Sequence, residues 1–223
     1  MACFLLLAGG TQAAAQLSGS ASVQSDYLYR GTSLTGGNPA VSVDLGYDDP
    51  SGLYLNGTAF AYLDGDGPAF GGGQANVGYA RRLSPNLSVD AGLVHSLYRV
   101  GAERRSYDFT ELYVGVTRRP ISARIFYAPD YYGTESAAIY AEVDAAVEPV
   151  PDWRLSAHLG LLDYVGGDYA YAGRGVRHDW RLTAERQIGM VALRASLSDV
   201  EGSGDPYRPS PRTRLVVGAT WSF

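Results

Sequence analysis

A chain of 223 residues with a net charge of −5 and 18% charged residues holds one large domain or two small ones. That charge balance excludes the electrostatic footprint of a nucleic-acid binder, and a single cysteine, Cys3, excludes a disulfide frame and a thiolate metal site. Glycine and tyrosine are abundant, at 28 and 17 residues, and all 18 basic residues are arginine.

Residues 1–15 read as a secretory signal peptide. Phe4 to Ala8 is its apolar core, and Ala13-Ala14-Ala15 supplies the small residues of a cleavage site. The basic segment that usually precedes such a core is missing, which points to a start upstream of Met1. No other apolar run approaches the ~20 residues that a spanning helix needs. A membrane protein of this sequence must then be a closed barrel, because lipid leaves no other way to satisfy a backbone.

Residues 16–223 are a train of alternating segments without helical periodicity. Strands are expected near 17–30, 40–48, 53–63, 74–81, 87–98, 109–117, 121–128, 138–147, 153–162, 177–186, 190–198 and 213–223. About twelve strands, an even number, suits an antiparallel up-and-down barrel with both termini on one side. The connections alternate in length. Residues 48–52, 82–86, 118–120, 148–152 and 187–189 are tight turns rich in Pro, Gly, Asp, Asn and Ser. Longer loops are expected near 31–39, 64–73, 99–108, 129–137, 163–176 and 199–212. Short turns at one rim and long loops at the other are the habit of outer-membrane barrels.

One parity of the strands carries an apolar set that includes Leu45, Leu55, Val89, Val114, Ile125, Val143, Leu159 and Leu193, and no Asp, Glu or Arg interrupts that set. Alternation alone does not say which face points outward. Aromatic placement does. Tyr47, Tyr79, Trp153, Trp221 and Phe223 lie on the apolar parity beside the short turns or the C-terminus. Tyr27, Tyr29, Tyr127 and Trp180 lie at the opposite strand ends. Two levels of rings around an aliphatic band are the girdles of a bilayer protein. The competing architecture is a secreted sandwich or lipocalin-like binder.

The final strand, Leu215 to Phe223, ends on a free aromatic carboxy terminus. It resembles the C-terminal assembly signal of bacterial outer-membrane barrels, with Trp221 and Phe223 as its aromatic members. Val23-Gln24-Ser25-Asp26-Tyr27-Leu28-Tyr29-Arg30-Gly31-Thr32-Ser33, then Asn38-Pro39-Ala40, then Tyr47 to Tyr54 resemble the opening of the TorF family. These are proteobacterial outer-membrane β-barrels described as porins. The resemblance continues through Glu111-Leu112-Tyr113-Val114-Gly115, Tyr127 to Gly133 and His158-Leu159-Gly160, and so covers nearly all the mature chain. It implies a channel by architecture, with no established substrate and no catalytic residues.

The opposite parity supplies the pore-lining candidates. They are Asp26, Arg30, Asp44, Asp90, Glu111, Arg124, Glu142, Asp144, Arg154, His158, Asp179, Arg181, Glu185, Arg194 and Arg214. Hairpin arithmetic sets Glu142 opposite His158, Asp144 opposite Ser156 and Arg124 opposite Glu142, giving a row of Arg124, Glu142 and His158 across three strands. Such a row either locks the wall or lines a constriction.

A phospholipase-like enzyme needs a Ser–His pair with an orienting third group. The histidines are His95, His158 and His178, and His95 falls on the apolar parity. No two histidines have metal-ligand spacing, so no metal and no cofactor are expected. Asp64-Gly65-Asp66-Gly67 lacks the further carboxylates and distal Glu of a calcium loop. Gly71-Gly72-Gly73 is followed by no helix and so makes no phosphate cradle.

The expectation is an integral bacterial outer-membrane barrel, not an enzyme, that passes small hydrophilic solutes passively. Its partners would be outer-membrane lipid and the barrel-assembly machinery. The alternatives are a barrel enzyme and a closed structural or binding barrel without an open pore.

Overall fold

The computed structural model describes residues 15–100, 105–166, 176–202 and 213–223. The signal segment lies outside them, except for its last residue, and so do parts of the loops expected near 99–108, 163–176 and 199–212.

The chain is a closed antiparallel barrel of twelve strands. Its wall consists of β1 (Gln16–Gln24), β4 (Ala40–Asp48), β5 (Leu53–Asp64), β6 (Gly67–Ser84), β7 (Leu87–Val100), β8 (Arg105–Arg118) and β9 (Ile121–Ala128), followed by β10 (Ala137–Val150), β11 (Trp153–Gly166), β12 (Arg177–Ile188), β13 (Val191–Glu201) and β14 (Arg214–Ser222). Neighbours in sequence pair in space, and β1 closes the ring by pairing with both β4 and β14. Two short strands, β2 (Leu28–Tyr29) and β3 (Thr32–Ser33), form a separate hairpin. Closure leaves the wall without an edge, so each strand satisfies its backbone on both sides.

The five short turns lie at one rim with the C-terminus, as the alternation of lengths predicts. The first, after β4, shows how such a turn is built. Gly52 N–H donates to the Asp49 carbonyl at 2.9 Å. Hydrogen bonds from the Ser51 hydroxyl and backbone N–H hold the Asp49 carboxyl below its usual range.

At the other rim the strands run further than expected. Strand β6 starts at Gly67 rather than near 74, so the expected 64–73 loop is a tight turn at Gly65-Asp66. The reason is a bulge. Phe60 pairs with Gly72, while Ala61 pairs with Phe70. The extra residue, Gly71, reverses the faces, so Phe70 points out at 46% exposure while Ala69 is buried inside. A Cβ at Gly71 would run into the Phe60 ring, and Gly72 has a φ of +135°. The glycine run is therefore structural.

The outward parity is as expected. Leu45, Leu55, Val114, Ile125, Val143, Leu159 and Leu193 are exposed, and Val89 is half-buried. Tyr47, Tyr79, Trp153, Trp221 and Phe223 ring the turn side, and Tyr127 is exposed at the opposite level. Arg186 sits over Trp153 at the turn rim, 5.8 Å from the ring centre.

Tyr27 and Tyr29 do not join that girdle. Strand β1 ends at Gln24, and both tyrosines pack inside the barrel against its buried aromatic cluster. The alternation continues past Gln24, but the chain has left the wall, so its parity no longer reports the outward face.

Candidate functional site: the lumen and its hairpin

Residues 25–39 fold into the loop-side half of the lumen. Asp26 organises the entry. Its carboxylate accepts from Ser33 Oγ at 2.6 Å, Thr35 Oγ1 at 2.8 Å and Arg214 Nη1 at 3.2 Å. Beyond it, Leu28 pairs with Ser33 and Tyr29 with Thr32. Arg30 and Gly31 make the two-residue tip, with φ of 47° and 72°. Positive φ at both central positions is the tight turn that matches strand twist.

The tip crosses to the far wall. Arg30 Nη1 and Nη2 donate to Glu111 Oε1 and Oε2 on β8, both at 2.9 Å. Arg30 Nη1 also meets the Tyr131 hydroxyl at 3.2 Å. The guanidinium lies 3.8 Å from the centre of the Tyr140 ring, with Tyr29, Phe126 and Tyr131 around it. Arg177 on β12 donates to Thr32 Oγ1 at 2.9 Å and to the Arg30 carbonyl at 3.3 Å. In ring order β8 and β10 lie nearly opposite β1, and β12 lies a quarter of the way round from it.

Aromatic side chains fill the space around this hairpin. Tyr98, Tyr140, Phe60, Phe109 and Tyr131 are buried, and Tyr27 stacks on Phe60 with ring centres 3.8 Å apart. The turn Tyr131–Gly133, a short 3-10 segment between β9 and β10, adds two rings from the wall. Buried rings on an inward face are costly to place in water and stable once packed together. In this conformation the loop-side lumen is occupied by protein.

The turn-side half differs. Its inward parity is polar and partly open to water. Arg124 Nε donates to Asp90 Oδ2 at 3.0 Å, and Asp44 accepts from Thr58 at 2.6 Å. Tyr54 and Tyr113 share a hydrogen bond between their hydroxyls beside Asp90. Arg154, Glu185 and Arg194 are successive cross-strand partners on β11, β12 and β13. Arg194 also donates to Gln24 on β1 at 2.9 Å. Arg124 lies opposite Glu142, as expected.

One pairing differs from the hairpin arithmetic. Val150 pairs with Trp153, so the hairpin is centred on Pro151-Asp152 rather than near Val150. A one-residue bulge at Val147–Val150 takes back one of the three residues of that offset, leaving the β10–β11 register two residues from the expected one. Asp144, not Glu142, therefore faces His158, and Glu142 faces Gly160. An even slip keeps every side chain on its face. His158 Nδ1 lies 2.9 Å from Asp144 Oδ1, and Nε2 lies 3.2 Å from Asp179 Oδ1 and 3.0 Å from the Tyr140 hydroxyl. Tyr140 also donates to Asp179 Oδ2 at 3.1 Å. Gly160 makes room for this group, because a Cβ there would strike the Tyr140 hydroxyl. Arg181 is the cross-strand partner of His158 on the other side.

The fifteen candidates thus sort by position. Asp44, Asp90, Arg124, Glu142, Asp144, Arg154, His158, Arg181, Glu185 and Arg194 face the polar half. Asp26 and Arg30 belong to the folded-in hairpin rather than to a wall strand, with Glu111 and Arg214 as their wall partners. Asp179 is buried between the halves beside Tyr140. Sequence reasoning missed the plug-forming Tyr98, Phe109 and Tyr140, although all three stand on the inward parity of long strands.

His95 lies on the outer face, exposed, with Nδ1 3.0 Å from the Thr110 hydroxyl. Its other cross-strand neighbour is Ala75, which offers no orienting group for a triad. Exposed His178 meets Glu201 at 3.2 Å.

Residues 8–223 match the family described as "Bacterial protein of unknown function (Gcw_chp)". The chain belongs to the Gcw_chp family. The match carries neither the TorF name expected from the sequence nor an activity. No curated protein sequence matches this Gcw_chp chain. Among solved structures, the NanC porin is similar with a TM-score of 0.61 at 11% identity, covering 92% of this chain and 99% of that one. The KdgM porin gives 0.57 at 11% identity, with 92% and 99% covered. The COG4313 outer membrane channel from Pseudomonas putida F1 gives 0.54 at 14% identity, with 93% and 95% covered. At such identities the shared property is the fold, and it is the barrel of outer-membrane porins and channels.

Proposed function

We propose that this barrel sits in the bacterial outer membrane as a narrow channel for passive diffusion of small hydrophilic solutes. Trp221 and Phe223 close the strand that the barrel-assembly machinery would recognise. The observation that carries the reading is the division of the lumen. A charged, water-accessible half leads up to a constriction made by the 25–39 hairpin, which is not part of the wall. An element that is not ladder-bonded into the barrel can leave the lumen while the wall stays closed. The outer surface supports the location, because a belt of Leu, Val, Ile and Ala free of Asp, Glu and Arg suits lipid. Charges of both signs in the polar half favour small solutes over a long polyion.

The occupied loop-side lumen favours a second reading, a closed barrel with a structural or binding role. Conductance in planar bilayers decides between them. Full-length protein should give small or intermittent currents, and a variant with residues 27–34 replaced by Gly and Ser should conduct several-fold more. Silence from both folded proteins would overturn the channel and leave the closed barrel.

A further inference from the structure

The strongest unassigned cluster lies on the β10–β11–β12 wall. Glu142, Asp144 and His158 each present one ligand atom, and these atoms lie within 4.8 Å of one another. The second face of the histidine is already committed. Its Nε2 points at Asp179 Oδ1 and the Tyr140 hydroxyl, and the hydroxyl donates onward to Asp179 Oδ2. A proton on Nε2 satisfies that arrangement. The Asp179 side chain is 4% exposed and that of His158 is 10% exposed, so the ring is fixed. Its Nδ1 lone pair then faces the Asp144 carboxylate at 2.9 Å. Two lone pairs repel at that distance unless something positive lies between them. A second proton or a metal ion would serve.

A histidine that gives one nitrogen to a carboxylate and turns the other toward further carboxylates has the second-shell arrangement of metal-bound imidazoles. We propose that Glu142, Asp144 and His158 form a site for a divalent transition metal of the zinc class. One nitrogen and two carboxylate oxygens make three protein ligands, and the lumen leaves a position for water. The imidazole favours such an ion over magnesium or calcium, which take oxygen ligands. The Glu142 carboxylate, on a flexible stem, closes the remaining distance. Two arginines flank the cluster. Arg124 faces Glu142 but its Nε is spent on Asp90, and Arg181 stands beside His158 on β12. Asp179 is a positioning residue.

The test is zinc titration of the full chain, folded in detergent micelles, by calorimetry in a non-chelating buffer. One Zn²⁺ per chain is expected. Both His158→Gln and Glu142→Gln should weaken binding at least tenfold, and Asp179→Asn by roughly 10–100-fold. Glu142→Gln leaves the His158–Asp179 contact intact, so it reports even if His158→Gln does not fold. His178→Ala, which breaks the exposed pair with Glu201, should change nothing. Equal concentrations of Mg²⁺ or Ca²⁺ should not displace the zinc. The proposal falls if the parent binds no zinc, if binding survives both ligand variants, or if it is lost with His178→Ala. A proton then bridges His158 and Asp144. Micelle binding needs no open pore and bilayer conductance needs no zinc, so this result and the channel reading fail independently.

Discussion

Arg30 and Glu111 are the residues on which the inner architecture turns. Their side chains are 6% and 2% exposed, and two parallel hydrogen bonds join them. Burying two charges is expensive, and the return depends on each having its partner. The rings around Arg30 add a cation–π contribution on several sides. Glu111→Gln should therefore destabilise the barrel by about 3–5 kcal/mol, because it strands the Arg30 charge in a dry aromatic site. Adding Arg30→Met should restore much of that loss. Urea unfolding of micelle-folded protein reads both effects, and equal loss in the single and double variants would deny the coupling. Arg30 and Glu111 stand far apart in sequence. The inward parity of Glu111 was legible, but Arg30 lies beyond the end of β1, and their pairing required a hairpin to reach across the lumen, which no local pattern announces.

At the scale of the strand, the proposed membrane location sets the two faces in different solvents. Val143 is 46% exposed on the outer face of β10, and its register partners on that face are Ala123 and Leu159. Val143→Arg should cost ~2–4 kcal/mol, since a charge at the bilayer midplane is poorly accommodated. Ser156→Arg, on the polar parity of β11, should fold nearly as well as the parent. Stability in lipid vesicles checks the contrast, and equal behaviour of the two variants would remove the lipid assignment. The period of two made this legible, because one strand face repeats one environment for its whole length. Bulges are where the period failed. Gly71 reverses the faces of β6, and the Val147–Val150 irregularity, together with a turn at Pro151-Asp152, sets Asp144 opposite His158. A bulge adds one residue to one strand without changing its composition, so alternation counts cannot place it.

For the whole molecule, the consequence is an oriented barrel with unlike ends. The turns after β4 and β6 share a rim with the C-terminus, and the Gly65-Asp66 turn lies at the opposite rim. In intact cells, a membrane-impermeant thiol reagent should label Gly65→Cys in a Cys3→Ser background and leave Ser51→Cys and Asn86→Cys unmodified. Labelling of all three before lysis would contradict the orientation. The sequence by itself determined the class, the strand number, the outward face and the rim of the five short turns, because each of these depends on local periodicity and turn chemistry. Only the tertiary structure decided that residues 25–39 enter the lumen, that rings fill its loop side, and that Glu142, Asp144 and His158 converge. Those features depend on contacts between distant strands and on register, where one bulge redirects a side chain to a different partner.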